Sequence, residues 1–190
     1  VDETLVDNSL YQAWMVMSGR SFEPKTWTTF VNTQTSTAIA GAIDFAKYAE
    51  SKGVKVFYVS NRTHEEEPAT RRNMEALGFP MGGNVDVFLF ARKQPDWGSA
   101  KGTRRSFVAK DNRVLLNLGD NFGDFVDAYR TSEDERLKVF EENRERWGGE
   151  WIMLPNPSYG SWEPAVFDNA WRQPRDVRRQ AKREALDLAQ

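Results

Sequence analysis

Two aspartates four residues apart give the clearest indication of chemistry in this chain. The segment GDNFGDF (119–125) follows the apolar run VLLNL, and Gly119 and Gly123 allow a sharp turn that would aim Asp120 and Asp124 in one direction. Carboxylate oxygens around an open site suit Mg²⁺, which usually keeps several waters and binds a substrate phosphate. Asp-Asn and Gly-Asp pairs also form ordinary turns, so this segment alone leaves a metal site and a simple turn as alternatives.

Polar side chains follow other apolar runs in the same way. Ser60 and Asn61 end the run VKVFYVSN, and Asn156 ends the run EWIMLPN. The opening segment VDETLVDN (1–8) joins them if an apolar strand precedes it. Ligand sites of open α/β sheets lie beyond the carboxyl ends of the strands. These residues therefore predict one polar crevice, shared with Asp120.

Alternating apolar runs and helical segments predict an α/β fold. Strands that alternate with helices favour a largely parallel sheet, which must bring the polar strand ends together. The four strand candidates are VKVFYVSN (54–61), VDVFLF (85–90), VLLNLGDN (114–121) and EWIMLPN (150–156).

Five helices are predicted from helical periodicity and from capping boxes, in which Ser or Thr is followed three residues later by Glu. The first is a short helix at 10–17. The second ends at Gly53 and has Ile39, Ile43, Ala46 and Ala49 on one face. The third is capped by Thr63 and Glu66 and ends at Gly78. The fourth helix is capped by Ser132 and Glu135 and has Leu137, Phe140, Arg144 and Trp147 on one face. The fifth is basic and has Val177, Ala181, Ala185 and Leu188 on one side.

Composition describes an ordinary globular domain. The 190 residues are 39% hydrophobic and 28% charged, which is typical of a chain that buries a core. The net charge of −2 provides no basic field for a nucleic acid polymer. Cysteine is absent, which excludes disulfides, thiolate zinc sites and cysteine nucleophiles. The sequence contains neither an apolar run of about 20 residues, as a membrane span needs, nor a GxGxxG or GxxxxGK loop.

Four motifs in order resemble those of the haloacid dehalogenase superfamily of phosphotransferases. VDET looks like the end of the first motif, DxDET, and VFYVSNR is similar to the second. Lys101 in KGTRR is similar to the third motif and GDNFGDF to the fourth. The segments DNSLYQAW and PNPSYGSWE resemble, more narrowly, the class C acid phosphatases, which are bacterial lipoprotein acid phosphatases. The resemblance runs from residue 1 to about residue 165.

The resemblance implies a Rossmann-like three-layer core with a mainly parallel sheet and a small helical cap. It divides the chain into a core of 1–8 and 36–165, a cap insertion of 9–35 and a basic amphipathic C-terminal helix of 166–190. The first motif of the family places a nucleophilic aspartate immediately before Val1, at the end of the first core strand. We therefore expect that this sequence is cut from a longer chain and that the first core strand is missing from it.

The same resemblance implies a Mg²⁺-dependent acid phosphatase that hydrolyses phosphomonoesters through an aspartyl-phosphate. Asp2 would be the catalytic general acid/base, and its backbone carbonyl would ligate the metal together with Asp120 and Asp124. The implied phosphate-binding residues are Ser60, Asn61 and Lys101. A phosphatase or phosphotransferase for sugar phosphates and a non-catalytic binding or storage homologue remain as alternatives.

Aromatic residues cluster beside the motifs and suggest a planar substrate. Tyr11, Trp27 and Tyr159 are expected to stack on the base of a 5′-nucleotide, an interaction worth about 1–3 kcal/mol per base in single-strand sites. Packing within the cap or core is the alternative for each ring. His64, the only histidine, is interpreted as a solvated residue in a helix cap rather than as a general base.

The location rests on the resemblance alone, which implies secretion to the periplasm or attachment to the outer membrane through an N-terminal lipid. The resemblance also implies a small phosphomonoester as the partner, and the net charge argues against a nucleic acid polymer. The apolar side of the C-terminal helix would dock onto the body or onto a second subunit, which leaves a homodimer open.

Overall fold

The computed structural model describes residues 1–186, in which eight α-helices and six β-strands form two compact units. The first unit spans Val1–Arg113 and the second begins at Val114. Each unit contains one parallel strand pair, as strands that alternate with helices require. The predicted α/β class with mainly parallel pairing is therefore confirmed.

An insertion of two helices follows the first strand of the first unit. The elements of this unit are β1 (Val6–Asp7), α1 (Ser9–Ser18), α2 (Pro24–Thr33), β2 (Thr37–Ala38), α3 (Ala42–Ser51), β3 (Tyr58–Thr63), α4 (Glu67–Leu77), β4 (Phe88–Ala91) and α5 (Gly102–Asp111). β1 and β2 pair antiparallel, with Val6 opposite Ala38 and Asp7 opposite Thr37. Helices α1 and α2 therefore stand on a short two-stranded stem, at the position predicted for the cap.

The parallel pair β3–β4 carries a bulge at its carboxyl end. The two strands pair in regular register up to Ser60, and the next paired residue of β3 is Thr63. The shift leaves Asn61 and Arg62 between these two pairs. The polar end of β3 therefore has an irregular backbone. Bulges of this kind change the direction of side chains and are frequent next to active sites.

A buried core supports this strand pair. All four residues of β4 are buried. The ring of Tyr58 lies 4.9 Å from that of Phe88, and its hydroxyl donates to the carbonyl of Pro80 at 2.7 Å. The buried members of the core cluster are Val1, Val6, Ala46, Tyr58, Met74, Phe79, Val87, Phe88 and Phe90.

The predicted start and end of α4 are confirmed. The carboxylate of Glu66 accepts the backbone N–H of Thr63 at 2.8 Å, and the Thr63 side chain caps in return. One 3₁₀ turn, His64–Glu66, precedes the α-helix. The helix ends at Gly78, whose φ of 92° is the left-handed conformation that glycine adopts readily.

The second unit is built around a smaller parallel pair and an aromatic cluster. Its elements are β5 (Asn117–Gly119), α6 (Glu133–Glu142), β6 (Trp151–Met153), α7 (Trp162–Ala165) and α8 (Arg175–Glu184), with 3₁₀ turns at Phe122–Asp124 and Arg144–Arg146. β5 and β6 are parallel, with Leu118 opposite Ile152. The ring of Trp147 lies 4.9 Å from Phe125 and 5.1 Å from Trp151, which packs β6 against the turn after β5.

Two elements of the first unit differ from their predicted extent. Strand β3 begins at Tyr58 rather than at residue 54, because its partner β4 offers a ladder only from Phe88 onward. The helix expected around Ile39 begins at Ala42, because the preceding residues pair with β1 instead.

Helices α2 and α6 also differ from the prediction. The pattern of residues 9–35 predicted one helix, whereas α2 forms a second one with Pro24 at its first position. Helix α6 ends at Glu142, so Trp147 lies beyond the helix in extended backbone and not on its face. Its ring still stacks on Phe140 at 5.6 Å, because the chain turns back after the helix.

The basic C-terminal helix is shorter than the predicted 166–190. α8 spans Arg175–Glu184, and the left-handed φ values of Asp168 and Asn169 interrupt helical backbone ahead of it. Leu188, predicted on its apolar side, lies outside the described residues. Within the described part of the chain, no helix is both long enough and apolar enough to cross a membrane.

Candidate active site

The carboxylate of Asp2 lies among buried polar side chains of the first unit. Its Oδ1 accepts hydrogen bonds from Arg62 Nη2 at 2.7 Å, Arg62 Nε at 2.9 Å and Asn8 Nδ2 at 2.9 Å. Its Oδ2 accepts the hydroxyl of Ser60 at 3.4 Å. The structure thus brings together two residues predicted for one crevice, Asp2 and Ser60, although they are 58 positions apart.

Arg62 holds Asp2 in its ionised form. Burial acts to raise the pKa of this carboxyl, but the Arg62 guanidinium and hydrogen bonds from Arg62 and Asn8 lower it below its ordinary value. A nearby negative charge has the opposite effect on a carboxyl group. A phosphate dianion bound beside Asp2 would therefore oppose Arg62 and favour protonation of this carboxylate.

A second buried arginine orders the loops on either side of the β3 end. Arg104, in the first turn of α5, is 0% exposed. Its guanidinium donates to the carbonyl of Ser60, to Asn61 Oδ1 at 2.6 Å and to the carbonyl of Gly98 at 2.8 Å. Arg104 therefore fixes both the predicted phosphate-binding segment after β3 and the loop that leads to Lys101.

The predicted phosphate-binding residues differ in their surroundings. The hydroxyl of Ser60 faces Asp2 and also accepts the backbone N–H of Arg62 at 3.1 Å. The side chain of Asn61 is turned toward the neighbouring loop, where its Nδ2 donates to the carbonyl of Ser99 at 2.9 Å. Lys101 is half-buried directly before α5. Ser60 is therefore the member of the set that lies against the proposed acid/base.

The second unit brings together polar residues from the ends of β5 and β6. Asn156 Nδ2 donates to Asp120 Oδ2 at 2.9 Å, and the backbone N–H of Asn121 donates to Asp124 Oδ2 at 3.0 Å. Asn121 Oδ1 accepts the hydroxyl of Ser161 at 2.6 Å. The two parallel strands of this unit thus place their polar ends side by side, as predicted from the sequence.

Gly119 permits the turn that carries Asp124. A Cβ built on Gly119 would lie 2.4 Å from both Cβ and Oδ2 of Asp124, closer than real atoms approach. The Asp124 carboxylate folds back over the strand end, where only glycine leaves room. The predicted sharp turn is confirmed, as the 3₁₀ turn Phe122–Asp124.

Two solved structures resemble the chain over its whole length. The class C acid phosphatase from Bacillus anthracis is 32% identical, with a TM-score of 0.89, and the match covers 100% of this chain and 78% of that one. The same enzyme with tungstate bound matches over the same shares with a TM-score of 0.90. The family model of the HAD superfamily, subfamily IIIB, the acid phosphatases, matches residues 1–162. The chain belongs to this family.

Membership defines the general activity. The acid phosphatase is a phosphomonoesterase, a hydrolase that acts on small phosphate esters. The solved relatives also confirm the fold expected from the motifs. Phosphatases of the HAD superfamily generally use a divalent metal, commonly Mg²⁺.

The residues after β5 of the acid phosphatase fit such a metal by donor type. Asp120 and Asp124 supply hard carboxylate oxygens, and Gly119 leaves the space that Asp124 occupies. Among residues 1–186, no three His, Cys, Asp or Glu side chains form a group that could hold a metal ion. Mg²⁺ is usually held by only one or two carboxylates, with waters and a substrate phosphate as the other ligands.

The three rings predicted to stack on a substrate lie in different surroundings. Tyr11 is 2% exposed and packs among the rings of helices α1 and α2, with its hydroxyl 2.9 Å from Thr26 Oγ1. Its ring contacts those of Trp27 and Phe30. Trp27 and Tyr159 are half-buried. The guanidinium of Arg62 lies 5.3 Å from the Trp27 ring centre.

His64 is exposed, whereas Asn8, Arg62 and Arg104 are buried. The His64 side chain is 60% exposed, which confirms its interpretation as a solvated residue. No role was predicted for Asn8, Arg62 or Arg104, although each stands inside or beside a quoted motif. Their position in the motifs was a usable signal, but the burial that gives them their role is a property of the folded chain.

Proposed function

We propose that this acid phosphatase is Mg²⁺-dependent and hydrolyses 5′-nucleotides through an aspartyl-phosphate. The first motif of the family assigns the nucleophile to an aspartate directly before Val1. The observation that carries the proposal is the contact of Asp2 Oδ2 with the Ser60 hydroxyl at 3.4 Å. It supports an acid/base carboxylate next to a phosphate-binding hydroxyl, a pairing that phosphoryl transfer with a nucleophilic carboxylate requires.

In this mechanism Asp2 moves the proton. Asp2 protonates the oxygen of the departing alcohol and later takes a proton from the water that hydrolyses the aspartyl-phosphate. General acid–base catalysis of this kind contributes about 10²- to 10⁴-fold to the rate. The hydroxyl of Ser60, with Asn61 beside it, and the ammonium group of Lys101 bind the phosphoryl oxygens. These donors stabilise the negative charge that spreads over the phosphoryl group in the transition state.

The metal is assigned to the residues after β5. Asp120 and Asp124 would hold Mg²⁺, and by motif the backbone carbonyl of Asp2 is a further ligand. When bound, the ion supplies positive charge that neutralises the phosphate dianion. Asn156 orients Asp120 through its 2.9 Å hydrogen bond, and the Asn121 N–H orients Asp124.

Phosphate release by the full-length protein tests this assignment. Asp120→Ala is expected to lower Mg²⁺-dependent release of phosphate from a nucleoside 5′-monophosphate by about 100-fold or more, because a direct metal ligand is lost. The control is Asp134→Ala, an exposed aspartate in the first turn of α6. Equal release by wild type and Asp120→Ala would overturn the site assignment. Absence of release by wild type would favour a non-catalytic binding or storage protein.

The substrate class is proposed from Trp27 and Tyr159. Because base–aromatic stacking is worth about 1–3 kcal/mol, Tyr159→Ala is expected to raise KM for a nucleoside 5′-monophosphate by about 5- to 100-fold. KM for a sugar phosphate should not change, because it has no planar group to stack. A parallel rise for both substrates would remove the nucleotide preference and favour a phosphatase or phosphotransferase for sugar phosphates.

A tetrahedral oxyanion gives an independent test. The solved relative from Bacillus anthracis binds tungstate. We expect tungstate to inhibit this protein competitively with the phosphate ester, since both place four oxygens around a central atom.

Location and assembly are proposals from the family resemblance. They comprise secretion to the periplasm or attachment to the outer membrane through an N-terminal lipid, and a homodimer. Fractionation of cells that express the full-length protein tests the first, and light scattering of the purified protein tests the second.

A further inference from the structure

We propose that Arg62 is the positioning residue of the acid/base. Together with Asn8 it holds Oδ1 of Asp2, so that Oδ2 faces Ser60 and is the oxygen that exchanges the proton. This inference rests on the proposed role of Asp2 in phosphomonoester hydrolysis and adds to it how the carboxylate is aimed.

The two oxygens of Asp2 have unequal surroundings. Oδ1 accepts three N–H donors, two from Arg62 and one from Asn8, at 2.7 to 2.9 Å. Oδ2 accepts the Ser60 hydroxyl at the longer distance of 3.4 Å. Three donors pointing at Oδ1 leave no place for a proton on that oxygen, because every one of them needs a lone pair. The proton of a neutral Asp2 therefore belongs on Oδ2.

Arg62 is itself held on every side. It is 3% exposed, and its Nη1 donates to Thr70 Oγ1 at 3.0 Å. The Thr70 hydroxyl donates in turn to the carbonyl of Glu66 at 2.9 Å, which leaves its lone pairs for Arg62. The ring of Trp27 lies 5.3 Å from the guanidinium carbon. A planar guanidinium in such a frame has one orientation.

Hydrogen bonds also fix the orientation of the Asn8 side chain. It is 0% exposed, and its Oδ1 accepts Ser36 Oγ at 2.7 Å and Arg62 Nη2 at 3.2 Å. The amide oxygen is therefore directed toward donors, and Nδ2 is turned toward Asp2. Asn73 supports the arrangement from α4, because its Nδ2 donates to the backbone carbonyl of Ser36 at 3.1 Å.

The proton balance of the reaction explains why the orientation matters. In the first step a bond forms between the nucleophilic carboxylate and phosphorus, and the bond from phosphorus to the ester oxygen breaks. The electron pair of that bond remains on the ester oxygen, which takes the proton from Oδ2 of Asp2. In the second step water attacks phosphorus, Oδ2 takes its proton, and the nucleophilic carboxylate leaves. Oδ1 keeps its three donors throughout.

The test compares substrates that differ only in how much they need the acid. Phenyl phosphate and p-nitrophenyl phosphate share one ring, but p-nitrophenolate departs readily without a proton and phenolate does not. For Arg62→Lys we expect kcat/KM to fall about 100-fold with phenyl phosphate and only about 10-fold with p-nitrophenyl phosphate, because a lysine cannot reproduce the planar fork. kcat/KM is the right quantity, since it reports the step in which the ester bond breaks.

A matched control separates positioning from general loss of structure. Arg71 also forks to carboxylates, those of Glu67 and Asp86, and lies 4.1 Å from the centre of the Phe88 ring. Arg71→Lys is expected to lower stability and to leave the ratio of the two substrates unchanged. Equal loss on both substrates in Arg62→Lys, or no loss on either, would overturn the inference.

A second variant covers the case in which Arg62→Lys does not fold. Asn8→Ser removes one donor to Oδ1 and should shift the substrate ratio in the same direction by about 3-fold, since two of three donors remain. If Asn8→Ser folds and keeps the wild-type ratio, the inference fails. Wild-type protein without any activity on either ester would instead contradict the proposed function itself.

Discussion

Close packing at one glycine holds the Asp124 carboxylate in place. A side chain at position 119 would meet Asp124 at 2.4 Å, so even a methyl group must displace either the carboxylate or the backbone of the turn. The same carboxylate accepts the N–H of Asn121, which closes the 3₁₀ turn. One residue type at one position therefore determines where this proposed metal ligand lies.

Gly119→Ala is expected to lower the free energy of unfolding by about 1–3 kcal/mol, the usual effect of overpacking. It should also raise the Mg²⁺ concentration needed for half-maximal activity, because Asp124 must move. Urea unfolding and a Mg²⁺ titration of phosphate release measure the two effects. The control is Gly149→Ala, whose added Cβ would lie 3.9 Å from its nearest neighbour. An unchanged Mg²⁺ requirement in Gly119→Ala would contradict the metal role of Asp124.

At the scale of elements, one carboxylate joins the inserted helix α2 to the start of α4. Glu66 Oε2 accepts the backbone N–H of Thr63 at 2.8 Å and closes the capping box. Its Oε1 accepts the hydroxyl of Thr28, in the middle of α2, at 2.7 Å. The cap helix and the segment that follows β3 therefore share one side chain, and Trp27 stands next to that link.

Thr28→Val is expected to loosen α2 without unfolding it. Loss of one hydrogen bond lowers stability by about 0.5–1.5 kcal/mol, so amide hydrogens of Pro24–Thr33 should exchange faster by mass spectrometry. Thr29→Val is the matched control, because among residues 1–186 the exposed Thr29 hydroxyl donates only to the Lys25 carbonyl within the same helix. Equal exchange of α2 in both variants would show that Thr28 does not anchor the cap.

The ends of the helices could be predicted better than the ends of the strands. The capping residues Thr63 and Ser132 and the stop at Gly78 act on adjacent backbone groups, so the local sequence contains the whole signal. Strand β3 begins four residues later than its apolar run because its partner β4 limits the ladder. Strand length depends on a partner elsewhere in the chain, which local sequence does not specify.

At the scale of the molecule, a cluster of opposite charges ties α4 to both ends of β4. Glu67 Oε1 accepts Arg71 Nε at 2.7 Å and Lys93 Nζ at 2.8 Å. Asp86 pairs with Lys93 at 2.6 Å and with Arg71. His64 Nδ1 lies 3.5 Å from the other oxygen of Glu67. The cluster joins residues of the connection between β3 and β4 to Lys93, which follows β4.

Asp86 should make the stability of the protein depend on acid pH. Partial burial acts to raise its pKa, but hydrogen bonds from Lys93 and Arg71 lower it below the ordinary value of 3.8. A lowered folded-state pKa contributes stability above the unfolded value, and this contribution is lost as the pH falls through the folded-state value. The free energy of unfolding should therefore fall from about pH 5 to about pH 3, and less steeply in Asp86→Asn.

Urea unfolding followed by tryptophan fluorescence at the two pH values measures this difference. The control is Asp111→Asn, an exposed aspartate at the end of α5, which should keep the wild-type slope. Identical slopes for Asp86→Asn and wild type would show that the charge cluster does not contribute.

The sequence by itself determined the class of fold, the family and the types of side chain that the chemistry needs. These properties are contained in short contiguous segments: an apolar run followed by polar residues, a capping box, or a motif such as GDNFGDF. Each segment predicts its own backbone and its own donor atoms, because both depend on near neighbours. The prediction of Asp120 and Asp124 on a sharp turn succeeded for this reason.

The tertiary structure alone decided which of these side chains meet and which are buried. Arg62 binds Asp2 across 60 positions, and Arg104 joins the end of β3 to the loop before α5. Tyr11, predicted to stack on substrate, is 2% exposed and packs against the rings of Trp27 and Phe30. Burial and pairing depend on residues brought together from distant parts of the chain. The sequence around an arginine therefore does not specify whether its side chain is exposed to solvent or buried.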